Sequence, residues 1–265
     1  MKKPLYFLIA IAVLISSCKK ETKKTESAYN ETSSVDIKTG IDSQNELEII
    51  PISHATMVLN YGDETIYVDP TGGKNAFMNE KKPTIILITD IHGDHYNIQT
   101  LKELDLNGTI FVAPQAVVDK FPEDFKPMLK VLNNGENTTI KDISIDAIPM
   151  YNLREEALKY HSKGRGNGYV LTINNQRIYI AGDTEDIPEM RALKNIDKAF
   201  ICMNLPYTMT VESAASAVLE FKPKQVYPYH YRGTDGLSDV EKFKTIVNTS
   251  NSDIEVVQLN WYPLL

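Results

Sequence analysis

Cysteine is all but missing from this chain of 265 residues, which carries only Cys18 and Cys202. A disulfide framework is excluded, so the fold has to rest on its core and on any metal it binds. Positive charge is in deficit: 28 lysines and arginines stand against 35 aspartates and glutamates, a formal net charge of −7. That balance speaks against nonspecific nucleic-acid binding, and no nucleic-acid partner is expected. The apolar run from Leu5 to Ile15 is too short for an ordinary membrane span and has signal-peptide proportions. No Gly-x-Ser-x-Gly elbow is present, which removes a serine nucleophile of that kind. No internal repeat is evident. Histidine is scarce too: five in all, and His54, His92, His95, His161 and His230 all fall at expected strand ends or in loops.

What is present begins with a leader. Met1-Lys2-Lys3 is a basic start, the apolar run follows, and Ile15-Ser16-Ser17-Cys18 closes the segment. The ending resembles the lipobox of bacterial lipoproteins, in which the cysteine takes a lipid and becomes the mature N-terminus. The resemblance implies a lipoprotein signal peptide over residues 1–18 and a membrane anchor on Cys18. It places the protein in the bacterial cell envelope, periplasmic or surface-exposed. Secretory cleavage near Cys18 without lipidation is the other reading. Residues 19–45 are polar and charged without hydrophobic periodicity, as expected of a disordered tether. Residues 46–265 are expected to form one α/β domain. Cys202, inside Ala199-Phe200-Ile201-Cys202-Met203, reads as a buried thiol or a metal ligand, and its apolar neighbours favour the thiol.

Within that domain short β-rich runs alternate with turns, and helices follow. Strands are expected at 48–50, 56–59, 65–68, 85–89 and 109–113, and a second set at 143–148, 168–173, 177–180, 225–228 and 254–259. Asn174-Asn175 reads as a hairpin turn. Thr210 is a good N-cap for a helix from Val211 to Phe221, and Ser238 for one from Val240 to Val247. Two strand-rich halves with helices outside each amount to a four-layer αββα sandwich, with a site at one edge between the sheets.

The chemistry concentrates in Thr89-Asp90-Ile91-His92-Gly93-Asp94-His95, directly after the apolar run Ile85-Ile86-Leu87-Ile88. Asp90 and His92 are two apart and point the same way on an extended backbone. Gly93 lets the chain turn and re-aim Asp94 and His95 at the same space. Imidazole and carboxylate are the donors that divalent zinc, manganese or iron accept.

This heptapeptide resembles the His-x-His-x-Asp-His signature of the metallo-β-lactamase superfamily, with Asp90 where the first His is usual. The resemblance continues in order along residues 45–265. His54 in Ile52-Ser53-His54-Ala55-Thr56 is similar to an early His of one branch. Ala181-Gly182-Asp183-Thr184 looks like the segment whose Asp bridges two metals, and Pro228-Tyr229-His230-Tyr231 like the late His of the second metal site. Asn204-Leu205-Pro206-Tyr207-Thr208-Met209-Thr210 also fits that branch, which includes L-ascorbate-6-phosphate lactonase and resembles N-acyl-phosphatidylethanolamine phospholipase D. Asp69-Pro70 resembles a structural Asp-Pro of the family.

The resemblance implies two divalent metals, zinc first, with manganese or iron favoured by the harder Asp90 oxygen. Asp90, His92 and a third residue would hold one metal, Asp94, His95 and His230 the other, with Asp183 bridging. The third residue is His161 or Asn152; imidazole is the better donor, which leaves Asn152 as a hydrogen-bond partner that orients a ligand or the bound water. A water between two cations loses proton affinity and attacks a carbonyl or phosphoryl group. Asp94 would shuttle a proton. His54 would contact substrate or stabilise an oxyanion, or else be a buried structural His. Lys163 and Arg165 would receive a substrate phosphate or carboxylate, or form a solvated basic loop. Tyr207, with Tyr229, Tyr231 and Arg232, would line the pocket. The expected function is metal-dependent hydrolysis of a lactone, phosphodiester or related ester, with a small molecule or a lipid as substrate. A lipid-anchored binding protein without turnover is the alternative, and a true β-lactamase fits less well.

Overall fold

The computed structural model describes residues 46–263; the expected leader, Cys18 and the 19–45 tether lie outside them. Strands β1 (Glu48–Ser53), β2 (Thr56–Tyr61) and β3 (Glu64–Val68) form an antiparallel meander. Beside it, in parallel, lie β4 (Ile85–Leu87), β5 (Ile110–Ala113) and β6 (Leu129–Val131), giving one six-stranded sheet. The second sheet repeats the scheme. Its antiparallel part is β7 (Asn137–Ile140), β8 (Ile143–Met150), β9 (Gly166–Ile173) and β10 (Gln176–Ile180). Three parallel strands complete seven: β11 (Lys198–Ile201), β12 (Gln225–Pro228) and β15 (Glu255–Val256). A small hairpin, β13 (Arg232–Gly233) with β14 (Gly236–Leu237), stands apart.

The period-2 alternation of strand side chains explains the layering. Along β3, Ile66 and Val68 join the large core shared with the second sheet, whereas Tyr67 joins a smaller core on the outer face. In β4, Ile85 and Leu87 face one core and Ile86 the other, so an all-apolar run is buried on both sides. The outer core is closed by α1 (Ile98–Glu103) and α2 (Gln115–Val118), through Leu101 and Val117. Helices α3 (Pro188–Arg191), α4 (Val211–Phe221) and α5 (Val240–Ser250) pack with the second sheet through Met190, Ala214, Val218, Phe221, Phe243 and Val247. The result is the expected αββα sandwich. No helix among the described residues is long and apolar enough to cross a membrane.

Local chemistry matches most expectations and corrects some. Thr210 caps α4, accepting from Ser213 N–H at 3.0 Å, and Asn174 and Asn175 both take positive φ in their turn. Helix α5 is capped by Asp239, which accepts from Lys242 N–H at 2.8 Å, and not by Ser238, whose hydroxyl donates to the Met203 carbonyl. Asp239 is the residue adjacent to the first turn, where a carboxylate also meets the positive end of the helix dipole. The expected last strand, 254–259, shortens to β15.

Candidate metal centre

The residues with metal-binding chemistry follow the carboxyl ends of strands in both sheets. Asp69 follows β3, the 90–95 segment follows β4, Asp183 follows β10 and His230 follows β12. Open α/β sheets place ligands at such ends, because the loops there converge while the strands stay rigid. The backbone beyond the strands is bent sharply: His54, Asp69 and His230 all adopt left-handed φ, at 56°, 46° and 47°. A non-glycine residue in that region costs free energy, and such residues cluster where the side chain has a task. Gly93 does not serve as expected. Its φ is not positive and a Cβ there would meet nothing within 4 Å. The turn is instead made by helix-like bonds from the N–H groups of His95 and Tyr96 to the His92 carbonyl, at 3.0 and 2.8 Å. Beside Asp183, Gly182 is demanding instead, at φ 64°, where a Cβ would lie 2.5 Å from Met150 Sδ.

Three sets of side chains bring their donor atoms within 4.8 Å of one another: Asp90, His92 and His161; His95, Asp183 and His230; and His54, Asp94 and His230. Asp183 joins them. Its Oδ2 lies 3.2 Å from His161 Nε2 and 3.4 Å from His95 Nε2, and its Oδ1 lies 3.3 Å from His230 Nε2. Asp94 Oδ2 is 3.4 Å from both His54 Nε2 and His230 Nε2. Asp90 Oδ2 is 2.6 Å from His92 Nδ1. All seven residues expected as ligands therefore meet in one place. His54 joins them, and its imidazole was not expected among the potential donors.

Three of the imidazoles, those of His95, His161 and His54, are held from behind. His95 Nδ1 bonds Asp69 at 2.8 Å, and Asp69 is itself fixed by the Thr89 N–H and hydroxyl at 2.7 and 2.6 Å. His161 Nδ1 donates to the Tyr207 carbonyl at 3.1 Å, leaving Nε2 as the lone-pair nitrogen toward Asp183. His54 Nε2 faces the ionised Asp94 carboxylate at 3.4 Å and so carries the ring N–H, which leaves Nδ1 to accept from the Tyr262 hydroxyl at 2.7 Å; that hydroxyl also accepts the backbone N–H of Arg232 at 3.1 Å.

Electrostatics follow from burial and company. Burial would raise the pKa of Asp183, but the charges of His230 and His95 outweigh it and hold the carboxyl well below the usual range. Burial would likewise raise Asp94 and Asp90; the neighbouring imidazoles of His230 and His54 lower the first, and the His92 hydrogen bond with His95 and Arg165 lowers the second. Burial opposes protonation of His95, yet the carboxylates of Asp183 and Asp69 push its pKa well up. His54 is lowered, chiefly by burial.

His95 Nε2, Asp183 Oδ1 and both ring nitrogens of His230 are buried without a hydrogen-bond partner. Each such atom costs roughly 1–3 kcal/mol, and His95 Nε2 and His230 Nε2 both face the Asp183 carboxylate, at 3.4 and 3.3 Å. A divalent cation satisfies imidazole nitrogen and carboxylate oxygen together, so the residues present fit the group. Cys202 takes no part: it is buried, its thiol donates to the Thr184 carbonyl at 3.4 Å, and burial pushes its pKa up to about 12.

Other expected residues sit differently. Lys163 is turned away from the site; its ammonium bonds Glu189 at 2.7 Å and lies over the Tyr151 ring. Arg165 grips Asp90 through Nε and Nη2, at 3.1 and 3.0 Å, so both expected substrate cations are engaged by protein carboxylates. Asn152 is not in the cluster. Its amide donates to the carbonyls of Ala157 and Tyr207 at 2.9 and 2.7 Å, and it supports His161 through the shared Tyr207 oxygen. Tyr207 lines a cavity of about 320 Å³ with His54, His92, Asp94, Tyr160, His161, Asp183, Asn204 and Arg232. Tyr229 is wholly buried behind Gly182, whose N–H it accepts at 2.9 Å. Asp69 was legible as an Asp-Pro at a strand end, but nothing in the sequence points from Tyr262 to His54.

A family model described as the beta-lactamase superfamily domain matches residues 48–230. Metal-dependent hydrolases of Pyrococcus abyssi and Pyrococcus horikoshii are 31% and 30% identical over 207 and 206 residues, in each case 74% of this chain and 90% of the relative. Among solved structures, a metal-dependent hydrolase from Parabacteroides distasonis is 39% identical and covers 82% of this chain and 94% of its own, with a TM-score of 0.73. A metallo hydrolase from Ignicoccus hospitalis, 19% identical with a TM-score of 0.67 over 80% of this chain and 94% of its own, shares the fold.

Proposed function

Because the chain belongs to the metallo-β-lactamase superfamily, we propose that it is a metal-dependent hydrolase that opens a lactone, phosphodiester or related ester of a small molecule. The observation that carries this reading is the set of buried, unpaired donor atoms on His95, Asp183 and His230. Asp90, His92 and His161 would hold one divalent metal, and Asp94, His95 and His230 a second, with Asp183 between them; zinc suits the imidazoles, and manganese or iron suits the added oxygen of Asp90. When bound, such metals lower the proton affinity of water and polarise the electrophile.

The chain's own side chains do the rest. Asp94 is 44% exposed while Asp90 and Asp183 are 0% and 4%, so it is the carboxylate placed to pass a proton between the cavity and solvent. His54, neutral and with its N–H on Nε2, offers a hydrogen bond to negative charge developing on the substrate. Asp69, the Tyr207 carbonyl and Tyr262 fix the rings against rotation.

Elemental analysis of protein purified without added metal, followed by a panel of lactones and phosphodiesters, tests the reading. Bound divalent metal and chelator-sensitive turnover are expected. Absence of metal, or turnover indifferent to chelation, would overturn it. The branch that includes ascorbate-6-phosphate lactonase guides the first substrates, through the sequence resemblance at Asn204–Thr210. We also propose lipid attachment at Cys18 in a bacterial envelope; Cys18→Ser should release the protein from membranes, and unchanged membrane association would rule the anchor out.

A further inference from the structure

Nine residues line the cavity at the metal centre, and one of them carries a permanent positive charge: Arg232. Among the described residues no ion pair involves it, in contrast to Arg154, Arg165 and Arg191, each of which is tied to a carboxylate. The one side-chain contact it makes among the described residues, with an aromatic ring, does not neutralise it. Arg232 is exposed, its guanidinium carbon stands 5.4 Å from the centre of the Tyr262 ring, and no hydrogen bond from the guanidinium to a protein acceptor accompanies that contact among the described residues.

The backbone below Arg232 is equally constrained. Strand β13 is pressed on the 204–208 loop, which forms the neighbouring part of the wall. A Cβ on Gly233 would fall 1.9 Å from the Leu205 carbonyl oxygen, so only glycine permits this approach, and Thr234 N–H bonds the same oxygen at 3.1 Å. Asn204 adds an uncharged donor. Its Oδ1 accepts from the Thr208 hydroxyl, which leaves the amide N–H₂ as its free function.

We propose that Arg232 recognises an anionic group on the substrate, so that the molecule turned over carries a phosphate or carboxylate apart from the bond that is cleaved. A planar guanidinium matches two oxygens of either anion. The anion site stands on the geometry around Arg232; turnover of the molecule that carries the anion rests on the hydrolase reading. This is the role the sequence assigned to Lys163 and Arg165, both of which are engaged elsewhere.

Two measurements on the metal-loaded full chain test it. In the first, calorimetry follows phenyl phosphate and benzoate binding to the wild type, Arg232→Ala and Arg232→Gln, the last keeping a side-chain stem over Tyr262. Both variants should bind at least one of the two anions about tenfold more weakly; whichever anion responds identifies the group. Equal affinity of all three proteins for both anions would overturn the proposal. In the second, matched esters with and without a remote anionic group are compared. The anionic-over-neutral preference in kcat/KM should fall about tenfold in Arg232→Ala and recover in part in Arg232→Lys. An unchanged preference would overturn the proposal even with turnover intact. Arg232-dependent anion binding without turnover of any ester would instead uphold the anion site and sink the hydrolase reading.

Discussion

His161 and Asn152 compete in the sequence for one place, and the geometry separates their tasks. His161 points Nε2 at Asp183, 3.2 Å away, while Asn152 spends its amide on two carbonyls. His161→Ala should therefore lower bound metal from about two ions to one per chain, whereas Asn152→Ala should keep metal nearly intact and reduce turnover. Elemental analysis of both variants decides, and the reverse pattern would make the amide the ligand. Tyr262 has the opposite history. It stands 208 residues from His54 and no local pattern announces it, yet its hydroxyl bonds His54 Nδ1 at 2.7 Å. In Tyr262→Phe that bond is lost and the ring is free to turn, and kcat should fall by about tenfold or more with metal content unchanged. Equal metal loss and activity loss would show Tyr262 to be purely structural.

At the level of strands and helices, legibility follows locality. Asp90 to His95, Asp183 and His230 could be read because each comes straight after an apolar run that must end at the sheet edge. Thr210 could be read because an N-cap acts on a backbone N–H three residues away; Thr210→Ala should cost about 1 kcal/mol in urea unfolding and leave the metal in place. Lys163 and Arg165 misled because a charge in a loop is legible while its direction is not. Lys163 turns to Glu189, 26 residues on, and Arg165 to Asp90, 75 residues back. Pairings of that span are settled by how β8, β9 and the strand ends pack. Arg232 was legible as a pocket residue, but its lack of an ion-pair partner was not, for the same reason.

Across the whole molecule, the donors come from both sheets, so cation binding and stability are one equilibrium. The pH dependence has a definite sign. In chelated protein, His95 has a folded pKa well above its usual 6.5. Its contribution is fully present below that value and is lost as pH rises through the folded pKa. Asp183, depressed below 3.8, contributes throughout that window and would be lost only as pH falls through its own folded value. Metal binding runs the other way, because imidazoles must be deprotonated to bind. The Tm difference between loaded and chelated protein should widen from pH 6.5 upward, as thermal melts would show; a constant difference would separate the metal from these imidazoles. The uneven exposure of the donors has a further, kinetic consequence. His92 and Asp94 are 42% and 44% exposed, whereas Asp90, His95, His161, Asp183 and His230 are at most 4%. A cation held as proposed would meet the first two on arrival and leave by them last. Its rate of exchange would then be governed at the doorway, and the strength with which it is held by the enclosed five.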